Sequence, residues 1–237
     1  MNPFAVNKQA RFSQRGMGKE GHPLVIIDAA LQTPQALVEL ALQSPFSEPP
    51  GGFYPGLNAP LPRDYVVSLA EALRPLLAQA FGLSANAPVD LSGYFGLATR
   101  PAEVLTPVQM LPHHDSTNPM QLAVIHYLAA GPQGGTGFYR QDATGFESVD
   151  GGRQPAYTAE CARQIGDTPG VTRHICPHTA GYTLIDSADA VFNRLLVYRT
   201  TSLHSGLLET STLTDNPATG RLTANIFIRP SLTQRPS

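Results

Sequence analysis

The chain has 237 residues, with 16 basic against 18 acidic side chains, a formal net charge of −2 and no run of like charges, which argues against a nucleic-acid or anionic-membrane surface. Its first 21 residues carry Lys8, Arg11, Arg15 and Lys19 and lack the apolar run of a secretory signal or membrane span, so a cytoplasmic location is expected. Two cysteines, Cys161 and Cys176, are expected as reduced thiols, and the length suits one domain over residues 1–237.

The 22 prolines and 21 glycines are spread along the chain, which shortens regular elements and favours strands joined by turns. Two helices are nevertheless expected early. In the first, Thr33 caps Pro34 at the opening position, and Leu37, Leu40 and Ala41 share a face. In the second, Asp64 to Phe81, Val66, Leu69, Leu73, Leu76, Leu77 and Ala80 follow helical spacing, and Pro75 should kink or divide it. Between them Ser44–Pro62 holds six prolines and three glycines and reads as a long surface loop without regular structure. Its Phe46, Phe53 and Tyr54 either fold over the mouth of a barrel as a lid or pin the loop to the helices.

From Leu91 the pattern changes to short runs typical of strands: Gly93–Thr99, Gln121–Leu128, Gly137–Arg140, Tyr182–Ile185, Arg194–Tyr198 and Leu222–Ile228, with a short helix near Tyr157–Ile165. Helices followed by many strands fit a mainly β fold, a double-stranded β-helix or cupin-like jelly roll. In that reading residues 1–90 form N-terminal helices and a loop packed on the outer sheet, and residues 91–230 form the core.

His113-His114-Asp115 puts an imidazole and a carboxylate two residues apart, hence on one face of an extended chain. His204, after the strand Arg194–Tyr198, offers a second imidazole. Two histidines and one carboxylate occupy one face of an octahedral ion and leave positions for cosubstrate and oxygen. His114 is expected to turn away as a structural residue. On the last strand Arg221, Thr223, Asn225 and Phe227 alternate with Leu222, Ala224, Ile226 and Ile228, giving an apolar face and a face that begins with an arginine able to clamp a carboxylate. His126 is expected as a hydrogen-bonded wall residue and His22 as exposed. His174, Cys176 and His178, with Cys161, could bind zinc, but the paired module usual for such sites is missing and a strand with a buried cysteine is the plainer reading.

The order Leu111-Pro112-His113-His114-Asp115-Ser116-Thr117, Gln121-Leu122-Ala123-Val124-Ile125-His126-Tyr127-Leu128 and Gly134-Gly135-Thr136-Gly137-Phe138-Tyr139 resembles the prolyl-hydroxylase-like branch of the Fe(II)/2-oxoglutarate oxygenases. Phe192 to Tyr198, His204 and Gly220 to Asn225 fall where that family has its penultimate strands, distal histidine and basic cosubstrate residue. The resemblance spans about Gly93 to Ile228 and is closest to bacterial members whose substrates are not established. It implies iron ligation by His113, Asp115 and His204, and cosubstrate binding by Arg221, Tyr127 and Asn225. It also implies oxidation of a small-molecule or peptide substrate by molecular oxygen, with 2-oxoglutarate converted to succinate. One departure is the 17-residue step from His204 to Arg221, longer than usual, with Leu207–Thr219 as an insertion. Two other readings use the same residues: a non-catalytic jelly roll that binds a carboxylate or peptide, and a cupin-like metal isomerase or hydrolase. Arg221 separates them, because neither needs a dedicated clamp beside a metal.

Overall fold

The computed structural model describes residues 2–51, 54–84, 86–166 and 180–231. Helix α1 (Pro34–Leu42) starts where expected, although Thr33 caps it without a side-chain bond to the helix; its hydroxyl donates to the Pro3 carbonyl at 2.9 Å. Helix α2 (Arg63–Phe81) buries Tyr65, Val66, Leu69, Leu73, Leu77 and Phe81 along one stripe and ends on Gly82, whose φ of 69° makes the left-handed cap. Pro75 does not divide it. The proline lies on the exposed face, away from the packed stripe, so its ring and missing N–H leave the buried contacts of the helix intact. Helix α3 (Gln154–Gly166) stands near the site predicted for a short helix.

Among the described residues, ten strands form two antiparallel sheets. They are β1 (Arg11–Met17), β2 (His22–Asp28), β3 (Gly56–Pro60), β4 (Val89–Ala98), β5 (Leu122–Tyr127), β6 (Gly135–Gln141), β7 (Tyr182–Asp189), β8 (Arg194–Arg199), β9 (His204–Leu207) and β10 (Arg221–Pro230). Seven run in the order β1-β2-β8-β5-β10-β4-β3 and three in the order β7-β6-β9. Residues 1–90 are therefore not only helices and loop, since they supply β1, β2 and β3. The stretch Ser44–Pro62 also contains regular structure: Gly56–Pro60 pairs with β4, and Ser47 and Asn58 exchange backbone hydrogen bonds of 2.9 and 2.8 Å. His22 is half-buried rather than exposed, with Nε2 3.1 Å from both the Glu20 carboxylate and the Ser148 hydroxyl.

Strand alternation then sorts the side chains. On one face of the large sheet Leu97, Val124, Val197, Leu222, Ala224 and Ile226 share a core with Leu37 and Ala41 of α1 and with Leu69, Leu73 and Leu77 of α2. On the other face Leu24, Ala123, Tyr127, Leu196 and Tyr198 meet Phe138 and Ala188 of the three-stranded sheet. The candidate chemistry lies between the two sheets.

A buried polar thread fixes the first core. Tyr65 donates to His126 Nδ1 at 2.8 Å, His126 Nε2 donates to Asn193 Oδ1 at 3.1 Å, and Asn193 also bonds the Leu31 N–H at 2.9 Å and its carbonyl at 3.0 Å. His126 is thus a neutral wall residue; burial brings its pKa down to about 4. Asn193 sits at φ 62°, a conformation that costs an alanine more than an asparagine. Asn193→Ala should remove about 4 kcal/mol of stability, because it leaves Leu31 and His126 without partners at about 1–3 kcal/mol per buried group. The check is a urea unfolding midpoint that falls at constant slope; a loss below about 1 kcal/mol would contradict this role.

Candidate metal centre

His113 and His204 are direct partners across an antiparallel bridge: each backbone N–H donates to the other's carbonyl, at 2.9 and 2.8 Å. That register brings the two rings to 4.4 Å, centroid to centroid, tilted at 47° to each other. Asp115, two residues on, is held by its N–H to the Thr200 carbonyl at 2.9 Å and turns its carboxylate to the same side. Its oxygens lie 3.6 Å from His113 Nε2 and 3.6 Å from His204 Nε2, and the three donor atoms all fall within 4.8 Å of one another. Bonds of about 2.1 Å at right angles need donors roughly 3 Å apart, so each Asp115–histidine pair closes by about half an ångström, and the widest pair by more, when an ion is seated.

The protonation states suit metal binding. Burial pushes the His204 imidazole down to about 4, so it is neutral at pH 7. Burial would raise the Asp115 carboxyl, but His204 and His113 outweigh it and hold the group below the usual carboxylate range. His204 Nδ1–H donates to the Ser202 carbonyl at 2.9 Å, which leaves the Nε2 lone pair facing Asp115. The side chains are 7% exposed at His204, 20% at Asp115 and 57% at His113, so one flank of the centre opens outward.

The centre lies in the wall of a cavity of about 480 Å³ that also includes Tyr54, Tyr94, Tyr198, Arg221, Asn225 and Phe227. Arg221 reaches it despite the long step from His204. Its Nε donates to the Gln133 carbonyl at 3.0 Å and its Nη2 to the Gly135 carbonyl at 2.9 Å. Gln133 also anchors the inserted loop, accepting from the Ser211 hydroxyl and the Thr212 N–H, each at 3.0 Å, so the insertion loops out and leaves β10 in register. Arg221 is 7% exposed and, among the described residues, no carboxylate pairs with it. The other basic residues of the last strands are engaged elsewhere: Arg194 with Asp28 at 2.6 Å, and Arg199 with the Phe81 and Pro119 carbonyls.

Tyr127 is placed differently from the direct cosubstrate contact that the resemblance implies. It is 1% exposed and outside the cavity wall, and its hydroxyl bonds to Thr136 at 2.7 Å, so Thr136 presents the oxygen there. The Tyr127 ring lies 5.7 Å from the Arg221 guanidinium and backs it. Asn225 is in the wall, with its amide donating to Thr223 Oγ1 at 3.0 Å. His114 packs edge-on to Tyr157 at 5.5 Å but still forms part of the wall, so it does not turn wholly away. His174, Cys176 and His178 lie outside the described residues, as does Phe53; Cys161, on α3, has its thiol 3.5 Å from the Tyr182 hydroxyl.

The sequence reading missed Gln133, Tyr94, Tyr198 and Tyr157. The alternation in β4 contained the signal for Tyr94, since buried Phe95 must face the helices and its neighbour the cavity. Tyr157 carried no such signal. From α3 its hydroxyl donates to the Pro112 carbonyl at 2.6 Å, immediately before His113. Tyr157→Phe leaves that carbonyl unpaired, costing about 1–3 kcal/mol of stability, and frees the backbone that aims His113. Metal affinity should fall up to about tenfold, the low end for groups behind a ligand. Calorimetric titration with Ni(II) checks this, and unchanged affinity would make Tyr157 a packing residue only.

A family model described as "Family of unknown function (DUF6445)" matches residues 8–228. No curated protein matches the chain. Among solved structures, HygX from Streptomyces hygroscopicus with nickel and 2-oxoglutarate bound is 13% identical over 88% of this chain and 83% of its own, with a TM-score of 0.51, a likeness that shows the fold. More distant are the non-heme alpha ketoglutarate dependent carbocyclase SnoK from nogalamycin biosynthesis (12% identity, 89% and 83% coverage, TM-score 0.46) and an N-substituted L-amino acid dioxygenase from Burkholderia ambifaria in complex with alpha-KG (12%, 90% and 84%, 0.41).

Proposed function

The chain belongs to the DUF6445 family, and from that premise and the site's geometry we propose that it is an Fe(II)- and 2-oxoglutarate-dependent dioxygenase that hydroxylates a substrate carbon. Its fold is a double-stranded β-helix of the prolyl-hydroxylase-like branch. One observation carries the reading: Arg221, a buried guanidinium without an acidic partner among the described residues, faces the same cavity as three converging metal donors. A buried cation of this kind calls for an anion, and its planar fork matches a carboxylate. A bare jelly-roll binder has no need of the donors, and a metal isomerase or hydrolase has no need of the clamp.

His113, Asp115 and His204 would hold Fe(II) through Nε2, a carboxylate oxygen and Nε2, the donor set expected for a non-heme iron oxygenase. Bound there with 2-oxoglutarate, the metal supplies the oxidative chemistry that consumes oxygen and releases succinate and carbon dioxide. This chain's residues do the rest. Arg221 holds the remote carboxylate, Tyr127 fixes the guanidinium from behind, and Thr136, Thr223 and Asn225 add uncharged hydrogen-bonding groups around it. Tyr198, edge-on to His204 at 4.9 Å, excludes water from one side of that ligand. With 2-oxoglutarate and oxygen, the Fe(II)-loaded protein should form succinate in step with 2-oxoglutarate loss. Turnover no greater than that of free iron would contradict the proposal.

A further inference from the structure

Resting on the oxygenase reading, we propose that the substrate is an uncharged molecule bearing an aromatic or alicyclic ring, held against Tyr54, Tyr94 and Phe227. The inference comes from what the cavity wall contains once the metal donors and Arg221 are set aside. Apart from His114, no ionisable acid or base remains there among the described residues except tyrosine. A substrate ammonium or carboxylate entering this space would lose its hydration and find no counter-ion.

What the wall offers instead is ring surface. Tyr94 lies 6.2 Å from Tyr54, edge-on, and 6.2 Å from Phe227, tilted at 40°, so the three make one aromatic cluster in the wall. Gly96 makes room for it: a Cβ there would stand 2.9 Å from the Tyr54 hydroxyl and 2.7 Å from the Asn225 amide. The approach is apolar too. The 3-10 turn Pro107–Met110 leaves Val108 50% exposed, and Val108 is also part of the wall. Polar recognition is uncharged: the phenol side chains of Tyr94 and Tyr198 belong to the same wall. Each is a donor for a neutral oxygen of the substrate. The volume of about 480 Å³ fits a small molecule beside the cosubstrate.

Three probes of equal ring size separate charge from shape: 2-naphthol, 2-naphthoate and 2-naphthylmethylammonium, titrated calorimetrically into the Ni(II)-loaded protein saturated with 2-oxoglutarate. The neutral probe should bind at least about tenfold tighter than either ion, a gap of about 1.4 kcal/mol. Tyr94→Ala and Tyr54→Ala should each weaken it by about tenfold. Either ion binding as tightly as naphthol, naphthol failing to bind at about 1 mM, or naphthol affinity indifferent to both substitutions overturns the proposal. The probe comparison needs no variant and stands if either substitution unfolds the protein. Titration of 2-oxoglutarate alone into the same Ni(II)-loaded protein reports on the oxygenase reading by itself. Failure there sinks that reading, whereas 2-oxoglutarate binding combined with preference for a charged probe sinks only the substrate class.

Discussion

Replacing Asp115 or His204 by alanine should abolish metal binding. Two remaining protein donors cannot hold a divalent ion firmly, and each removed group also supports the others. Without Asp115 the two imidazoles lose the charge that sits 3.6 Å from each. Without His204 the carboxylate loses the neighbour that most favours its ionised form. His114→Phe should keep the metal, because its ring packs on Tyr157 while the three converging donor atoms belong to other residues. Equilibrium dialysis against Ni(II) decides the matter. A His114 variant that loses metal while the His113 variant retains it would reverse the assignment of faces.

Arg221→Ala should cut 2-oxoglutarate affinity by roughly one and a half to three and a half decades. Losing one member of a desolvated, hydrogen-bonded charge pair costs about 2–5 kcal/mol, at 1.4 kcal/mol per decade. Metal affinity should barely move, since the guanidinium is anchored on the Gln133 and Gly135 carbonyls and not on a metal donor. Arg221→Lys should recover only part of the loss, because an ammonium lacks the fork that meets both carboxylate oxygens. Isothermal titration of the Ni(II)-loaded variants measures this, and wild-type affinity in Arg221→Ala would remove Arg221 from the cosubstrate site.

The elements that positioned this chemistry were legible where one face of a strand is dry and the other is not. In β10, Leu222, Ala224, Ile226 and Ile228 alternate with Arg221, Thr223, Asn225 and Phe227, and the structure sends the first set to the helices. The hairpin of β1 and β2 was not legible, because β1 is exposed along all but its last residue and so has no periodic burial to write into its sequence. Strand β3 was hidden by its prolines: it is an edge strand, where Pro60 can be tolerated. In the loop before it, Tyr54 is in the cavity wall and Phe46 packs 6.4 Å from Phe95 among the core side chains. In the site, the His-x-Asp step was visible because its geometry is local. The supports were not: Gln133 reaches Arg221 across 88 residues and Tyr157 reaches Pro112 across 45, contacts that exist only once the sheets have closed.

The central claim, that one cavity holds iron on His113, Asp115 and His204 and 2-oxoglutarate on Arg221, meets its most direct test in an anaerobic optical titration. Fe(II) and then 2-oxoglutarate are added to the purified protein under strict exclusion of oxygen. The account predicts a weak visible charge-transfer band from the chelated keto acid that saturates at equimolar cosubstrate, is absent in Asp115→Ala, and requires far more 2-oxoglutarate in Arg221→Ala. Stoichiometric iron binding with no such band at any excess of 2-oxoglutarate would contradict it.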